Sequence, residues 1–179
     1  MNQFLCITFR FIQPFPLFHG RADAEKPEWP PSPMRAFQAL VNAVSMRARG
    51  RTLDGDLIKT LRLIESIEPI IIAPQAAVAT VGHRTYVPHN QADLVTAAWY
   101  RGNYDASVAS HRMEKDIRPI HLSSSDDIPA VHYLYPLDGS CDTLQLLATI
   151  RPSVRSIVAL GWGIDQVAAD VKIGRASCR

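Results

Sequence analysis

The chain has 179 residues, 47% of them apolar and 20% charged, which excludes a disordered chain and suits one domain with a real core better than two. No apolar run approaches the roughly 20 residues that span a bilayer. The N-terminus lacks a basic flank, apolar stretch and small-residue cleavage site, so a cytoplasmic location with no membrane partner is expected.

The last residues, Ile173 to Arg179, spell IGRASCR, which is one translation frame of a common sequencing adapter. Residues 172–179 are therefore read as a tail of that origin on a fragment of a longer protein, and 1–171 as the domain. Such a tail should have no packing partners. Without Arg175 and Arg179 the 19 Lys and Arg fall level with the 17 Asp and Glu. Net charge then gives no argument for a polyanionic partner, and local clusters must carry it. Cys6 and Cys141, lying outside the tail, have the spacing of neither a disulfide framework nor a zinc knuckle.

In chain order, Phe4 to Ile12 alternates, with Leu5, Ile7, Phe9 and Phe11 on one face and Thr8 and Arg10 on the other, predicting a half-buried strand. Ser32 and Pro33 are suited to the N-cap and first turn of a helix running to about Arg49. Its apolar stripe is expected to be Met34, Phe37, Leu40, Val41 and Val44, packed on Ile7 and Phe9. A second helix over about Asp56 to Ile67 carries Leu57, Leu61 and Ile64. Ile70 to Ile72 is expected as a short buried strand, and Ala77 to Val87 as an extended segment bent at Gly82. Asp93 to Tyr100 suggests helical turns, and Ile117 to Leu122 a strand. Val131, Tyr133 and Tyr135 alternate with His132 and Leu134. Asp142 caps a helix with Leu144, Leu147 and Ile150, which Pro152 ends, kinks or restarts. Gln166 to Val171 forms the last strand. This order fits an α+β fold, an elaborated ferredoxin-like (RRM-like) β-α-β-β-α-β domain with an irregular insertion.

Two polar stretches offer RNA-binding chemistry. Gly82 to Asn90 supplies Arg84 for phosphate, Tyr86 for stacking, and His83, His89 and Asn90 for base edges or sugar hydroxyls. The same string also suits a polar strand end turning at Pro88. Arg112, Lys115 and Arg118 cluster, but Glu114 and Asp116 are interspersed, as on an ordinary solvated face. Gly161 and Gly163 flank Trp162 and would let a backbone approach a phosphate or close a helix. The histidines show no metal-ligand spacing and no cofactor loop is present, so neither metal nor cofactor is expected.

Phe18-His19-Gly20-Arg21, followed by Glu28-Trp29-Pro30-Pro31-Ser32-Pro33-Met34-Arg35, resembles the hallmark of the Cas-five/Cas-six fusion subunit of type I-U (I-G) CRISPR systems. Gly82-His83-Arg84-Thr85-Tyr86-Val87-Pro88 is similar to that family's Gly-His…Tyr…Pro segment. Leu160-Gly161-Trp162-Gly163-Ile164-Asp165 is similar to the glycine-rich loop that repeat-associated RNA-binding proteins place before the last strand. The resemblance spans nearly all of residues 1–171. It implies ferredoxin-like modules that hold the repeat-derived handle of the CRISPR RNA within an antiviral surveillance complex, beside other effector subunits. Precursor RNA processing is implied for a fused second half, so the full-length relative would be an endoribonuclease and no catalytic residue carries over to this fragment. The RNA-binding set expected here is His83, Arg84, Tyr86, His89 and Asn90, with Arg21, Arg112, Gly161 and Gly163. The alternatives are a metal-free metabolic or regulatory module on the same fold, and a standalone endoribonuclease using a histidine of this fragment.

Overall fold

The computed structural model describes residues 3–13, 17–21, 27–79, 82–88, 92–104, 112–122, 128–139 and 141–174, with backbone alone at 83, 85, 87, 88, 92, 93 and 112. Its elements are β1 (Gln3–Phe11), β2 (Leu17–Phe18), α1 (Pro33–Ala48), α2 (Gly55–Ser66), β3 (Ile70–Ile72), β4 (Ala76–Val78), β5 (His83–Pro88), α3 (Ala92–Tyr100), β6 (Arg112–Ile117), β7 (Ile120–Leu122), β8 (Ala130–Leu137), α4 (Thr143–Val154) and β9 (Val167–Gly174). The chain divides into two compact units, residues 1–78 with 119–179, and residues 79–118.

The first unit is a mixed fold of helices and antiparallel strands. One sheet has the order β3-β8-β1-β9 and a second has the order β2-β7-β4. In the first sheet the register sets Ile7 beside Tyr133 and Val171, and Phe9 beside Val131 and Ala169. Those side chains form one core with Leu40 and Val44 of α1, Ile64 of α2, and Leu146, Ile150 and Val154 of α4. The alternation of β1 therefore does its expected work, burying Leu5, Ile7, Phe9 and Phe11. The opposite face is less open than a half-buried strand implies. Thr8 is buried there, with its hydroxyl 2.9 Å from His132 Nδ1, and Arg10 is exposed.

The entry to α1 forms as its residues suggest. Ser32 caps the helix by accepting from the Arg35 N–H at 3.3 Å, and Pro33 occupies the first turn. Trp29 packs with Phe11 and Phe18 and donates from Nε1 to the Pro74 carbonyl at 3.1 Å. Tyr133 donates to the Pro31 carbonyl at 2.7 Å. These bonds tie the proline-rich loop to the sheet.

Several expectations need correction. Met34 and Val41 of α1 are 62% and 37% exposed, and Ala36 and Ala43 take their place in the buried stripe beside Leu40 and Val44. Alanine allows the helix to approach the sheet and its neighbours closely, so the face is rotated from the one the largest side chains suggest. Ile70 and Ile72 are exposed, because β3 is an edge strand pairing with β8 alone. The segment expected over Ala77 to Val87 is two strands, β4 and β5, that pair in different sheets and belong to different units. The strand expected over Ile117 to Leu122 is also two, with β6 ending at Ile117 and β7 starting at Ile120. Pro152 sits inside α4, which runs on to Val154 before the Arg155 N–H closes it on the Arg151 carbonyl at 3.0 Å. Finally, β9 continues past Val171. Ile173 pairs with Leu5 and packs on the core, and Gly174 pairs with Phe4. The first residues of the expected tail thus have packing partners, while Cys178 lies outside the described residues.

The second unit contains the antiparallel pair β5–β6 and the helix α3. Val95 and Ile117 are buried in it. Gly82 lies where a Cβ would come within 2.8 Å of the Ile117 carbonyl, a close backbone approach that only glycine permits.

Candidate nucleic-acid interface

Three of the motif segments singled out in the sequence meet in the first unit. His19 and Asp165, 146 residues apart, are both buried, at 5% and 0% exposure. The His19 backbone N–H donates to both carboxylate oxygens at 3.1 and 3.2 Å, and its Nδ1 lies 2.6 Å from Oδ1. The pair locks the loop after β2 to the loop before β9. Arg35 adds a second tie. Its Nε donates to Glu28 Oε2 at 3.0 Å, Nη2 donates to the same oxygen, and Nη2 also reaches the Arg21 carbonyl at 3.3 Å. Glu28 Oε1 accepts the Ser32 N–H at 2.6 Å. Burial works to raise the Glu28 carboxyl, yet the hydrogen bonds from Arg35 and Ser32 outweigh it and hold it below its ordinary value of 4.5.

Gly161 belongs to this cluster. Its φ is +98°, and a Cβ there would lie 3.0 Å from Arg35 Nη1 and 3.2 Å from Arg35 Cδ. The glycine is therefore accounted for by seating the Arg35 side chain. Nothing lies within 4 Å of the corresponding position at Gly163, which leaves its backbone open to a ligand.

Beside this cluster runs an open groove of about 930 Å³ between the outer face of α1 and residues 156–163. Gln38 and Asn42 line its wall, Arg35, Arg47, Arg49 and Arg51 line it from α1 and the turn that follows, and Gly161 and Gly163 line the other side. Among the described residues no carboxylate lines it. Arg35 is neutralised by Glu28, but among the described residues Arg47, Arg49 and Arg51 have no acidic partner. A basic last turn also complements the helix dipole. That effect fades within the turn, and of these three only Arg47 lies inside α1. Arg49 adopts a left-handed conformation, φ 49° and ψ 44°, that favours glycine.

The second unit carries His83, Arg84 and Tyr86 on β5. Arg84 and Tyr86 share a face, and β6 sets acids opposite them. Arg84 lies 3.4 Å from both Glu114 and Asp116, and the Tyr86 hydroxyl donates to Glu114 at 3.1 Å. The hydrogen bond to Glu114 also raises the Tyr86 hydroxyl above its ordinary value. The two carboxylates compensate the guanidinium's charge. Arg112 starts β6 opposite Pro88; His89 and Asn90 lie outside the described residues. Arg21 is in the first unit, bridged to Pro27. The expected RNA set is thus divided between the units, and its arginine on β5, Arg84, is already engaged.

The sequence reading missed Arg47, Arg49 and Arg51, although Met46-Arg47-Ala48-Arg49-Gly50-Arg51 is the densest run of arginine in the chain. It also missed the His19–Asp165 pair, which no local spacing reveals. Among the described residues no group of three or more His, Cys, Asp and Glu side chains could hold a metal ion, and no helix is long and apolar enough to cross a membrane.

Comparison with curated proteins finds no match. Among solved structures, a CRISPR protein from Archaeoglobus fulgidus is similar at 16% identity with a TM-score of 0.40, over 98% of this chain. This chain spans 65% of that protein's length. The profile described as "CRISPR-associated protein, GSU0054 family" matches residues 8–175, a span that includes the groove and the cluster beside it. The chain belongs to the GSU0054 family of CRISPR-associated proteins.

Proposed function

We propose that this chain is the RNA-binding part of a type I-U Cas-five/Cas-six fusion subunit. In this reading it holds the repeat-derived handle of the CRISPR RNA within an effector complex, and precursor processing belongs to a second half beyond this fragment. The observation that carries the reading is the groove beside α1, where among the described residues Arg47, Arg49 and Arg51 stand without acidic partners and no carboxylate lines the wall. Phosphate oxygens are the natural counter-charge for such a set. Gln38 and Asn42 would add hydrogen bonds to sugar or base edges. The ferredoxin-like assignment is supported by the order β3-β8-β1-β9, with helices joining β1 to β3 and β8 to β9.

Arg84 serves RNA only by exchanging Glu114 and Asp116 for it, an exchange that lowers its contribution. The open backbone at Gly163 is better placed for phosphate than that at Gly161. No residue is assigned a cleavage role. The test is a titration of repeat RNA against the wild type and the triple variant Arg47→Ala/Arg49→Ala/Arg51→Ala. The triple variant should bind markedly more weakly to every RNA sequence, since phosphate contacts carry no sequence information. Equal affinity for the two proteins would remove the groove and, with it, the main support for this function.

A further inference from the structure

The groove beside α1 divides into two stretches. Arg47, Arg49 and Arg51 line it where the helix ends, and Gln38 and Asn42 line it from the preceding turns. The two amides are four residues apart, which puts them on one face of α1 with about 6 Å of rise between them, enough to meet two different bases. Both are exposed, and among the described residues neither makes a hydrogen bond. Charge does not dominate their end of the groove, because the arginine there, Arg35, is bound to Glu28. Met46 and Val158, 71% and 72% exposed, line the groove too and offer apolar contact to a base. Among the described residues no aromatic ring lines it. Stacking on a ring, which holds bases with little regard to identity, therefore has no partner here, and hydrogen bonds to base edges are left to set any preference.

We infer that Gln38 and Asn42 read base edges and make the groove prefer adenine in single-stranded RNA, while the arginines hold its phosphates. The inference rests on the RNA-binding reading above and adds base specificity to it. A side-chain amide presents one acceptor and one donor side by side. Adenine answers that pair on both of the edges by which unpaired bases are read: N6–H with N7 on the Hoogsteen edge, and N6–H with N1 on the Watson–Crick edge. Guanine's Hoogsteen edge carries two acceptors, O6 and N7, and a pyrimidine has no N7. Guanine, cytosine and uracil therefore complement the amide on the Watson–Crick edge alone, and adenine is the base that fits in either orientation.

The experiment titrates wild type, Gln38→Ala/Asn42→Ala and Arg47→Ala/Arg49→Ala/Arg51→Ala with oligoadenylate, oligocytidylate and oligouridylate RNAs of equal length, at two salt concentrations. Alanine favours a helix and both amides are exposed, so the double variant should fold, which circular dichroism checks. Wild type should bind oligoadenylate about ten-fold more tightly than the pyrimidine RNAs. The double variant should lose that preference with its salt slope unchanged, since it removes no phosphate contact. A wild type without the preference, or a double variant that keeps it, overturns the inference. Equal weakening of the double variant on all three RNAs also overturns it, because contacts to sugar hydroxyls act in that way. The triple variant reads the groove separately and should bind every RNA more weakly with a smaller slope. If it does so while the adenine preference is missing, the RNA-binding reading stands and only the base reading falls. A triple variant that binds like the wild type removes the groove and both readings with it.

Discussion

The groove beside α1 and the β5–β6 face each present arginine on an exposed surface, and their surroundings differ. On β5–β6 the antiparallel register brings Glu114 and Asp116 onto the same face as Arg84. Beside α1, Glu28 takes up Arg35, and among the described residues Arg47, Arg49 and Arg51 have no carboxylate partner. A cation's use to an RNA depends on what already pairs with it. Among exposed pairs such competition is worth a fraction of a kcal/mol, and two acids beside one arginine offset its charge. In the groove the pairing of Arg35 is structural, and the charges beyond it remain available.

The largest expected effect tests that division of labour. Replacing Arg35 by Ala leaves Glu28, whose side chain is 10% exposed, without its partner, and should cost about 3 kcal/mol, the low end for breaking a buried pair. Because the folded Glu28 carboxyl lies below its ordinary 4.5, its contribution is fully present above that value and is lost as pH falls through the lower folded value. Chemical denaturation of the wild type should show that acid loss, and Arg35→Ala should lack it. A loss below about 1 kcal/mol would place the pair with ordinary surface bridges.

A smaller effect of opposite sign is expected at Arg49. Glycine is at ease in the left-handed conformation found there, so Arg49→Gly should stabilise the fold by about 0.5 kcal/mol while weakening RNA binding. Thermal melting and an RNA titration of one variant read both quantities. Lower stability together with unchanged affinity would make Arg49 an ordinary helix cap.

What the sequence discloses about this molecule follows the range of the forces involved. The alternation in β1 and β8 and the caps at Ser32 and Asp142 depend on neighbours a few residues apart, and they appear where expected. The face of α1 does not, because the small size of Ala36 and Ala43 is what fits them for a close-packed surface. Ile70 to Ile72 has the composition of a buried strand, yet only the sheet order shows that it lies at an edge. The candidate site is harder still to read. Arg84 meets Asp116 across 32 residues and His19 meets Asp165 across 146. Strand register and loop docking decide such pairs, and neither leaves a local trace. The arginines following Met46 were legible as a cluster, but their freedom from carboxylates was not.

The most direct test is the salt dependence of RNA binding for two variants side by side, Arg47→Ala/Arg49→Ala/Arg51→Ala and Arg84→Ala. On single strands each phosphate contact adds about 0.7 to the slope of log affinity against log salt. The triple variant should lower the magnitude of the slope by about 2, and Arg84→Ala by less than about 0.7. A triple variant with the wild-type slope, or an Arg84→Ala variant with the larger loss, would contradict the assignment of the RNA backbone to the groove.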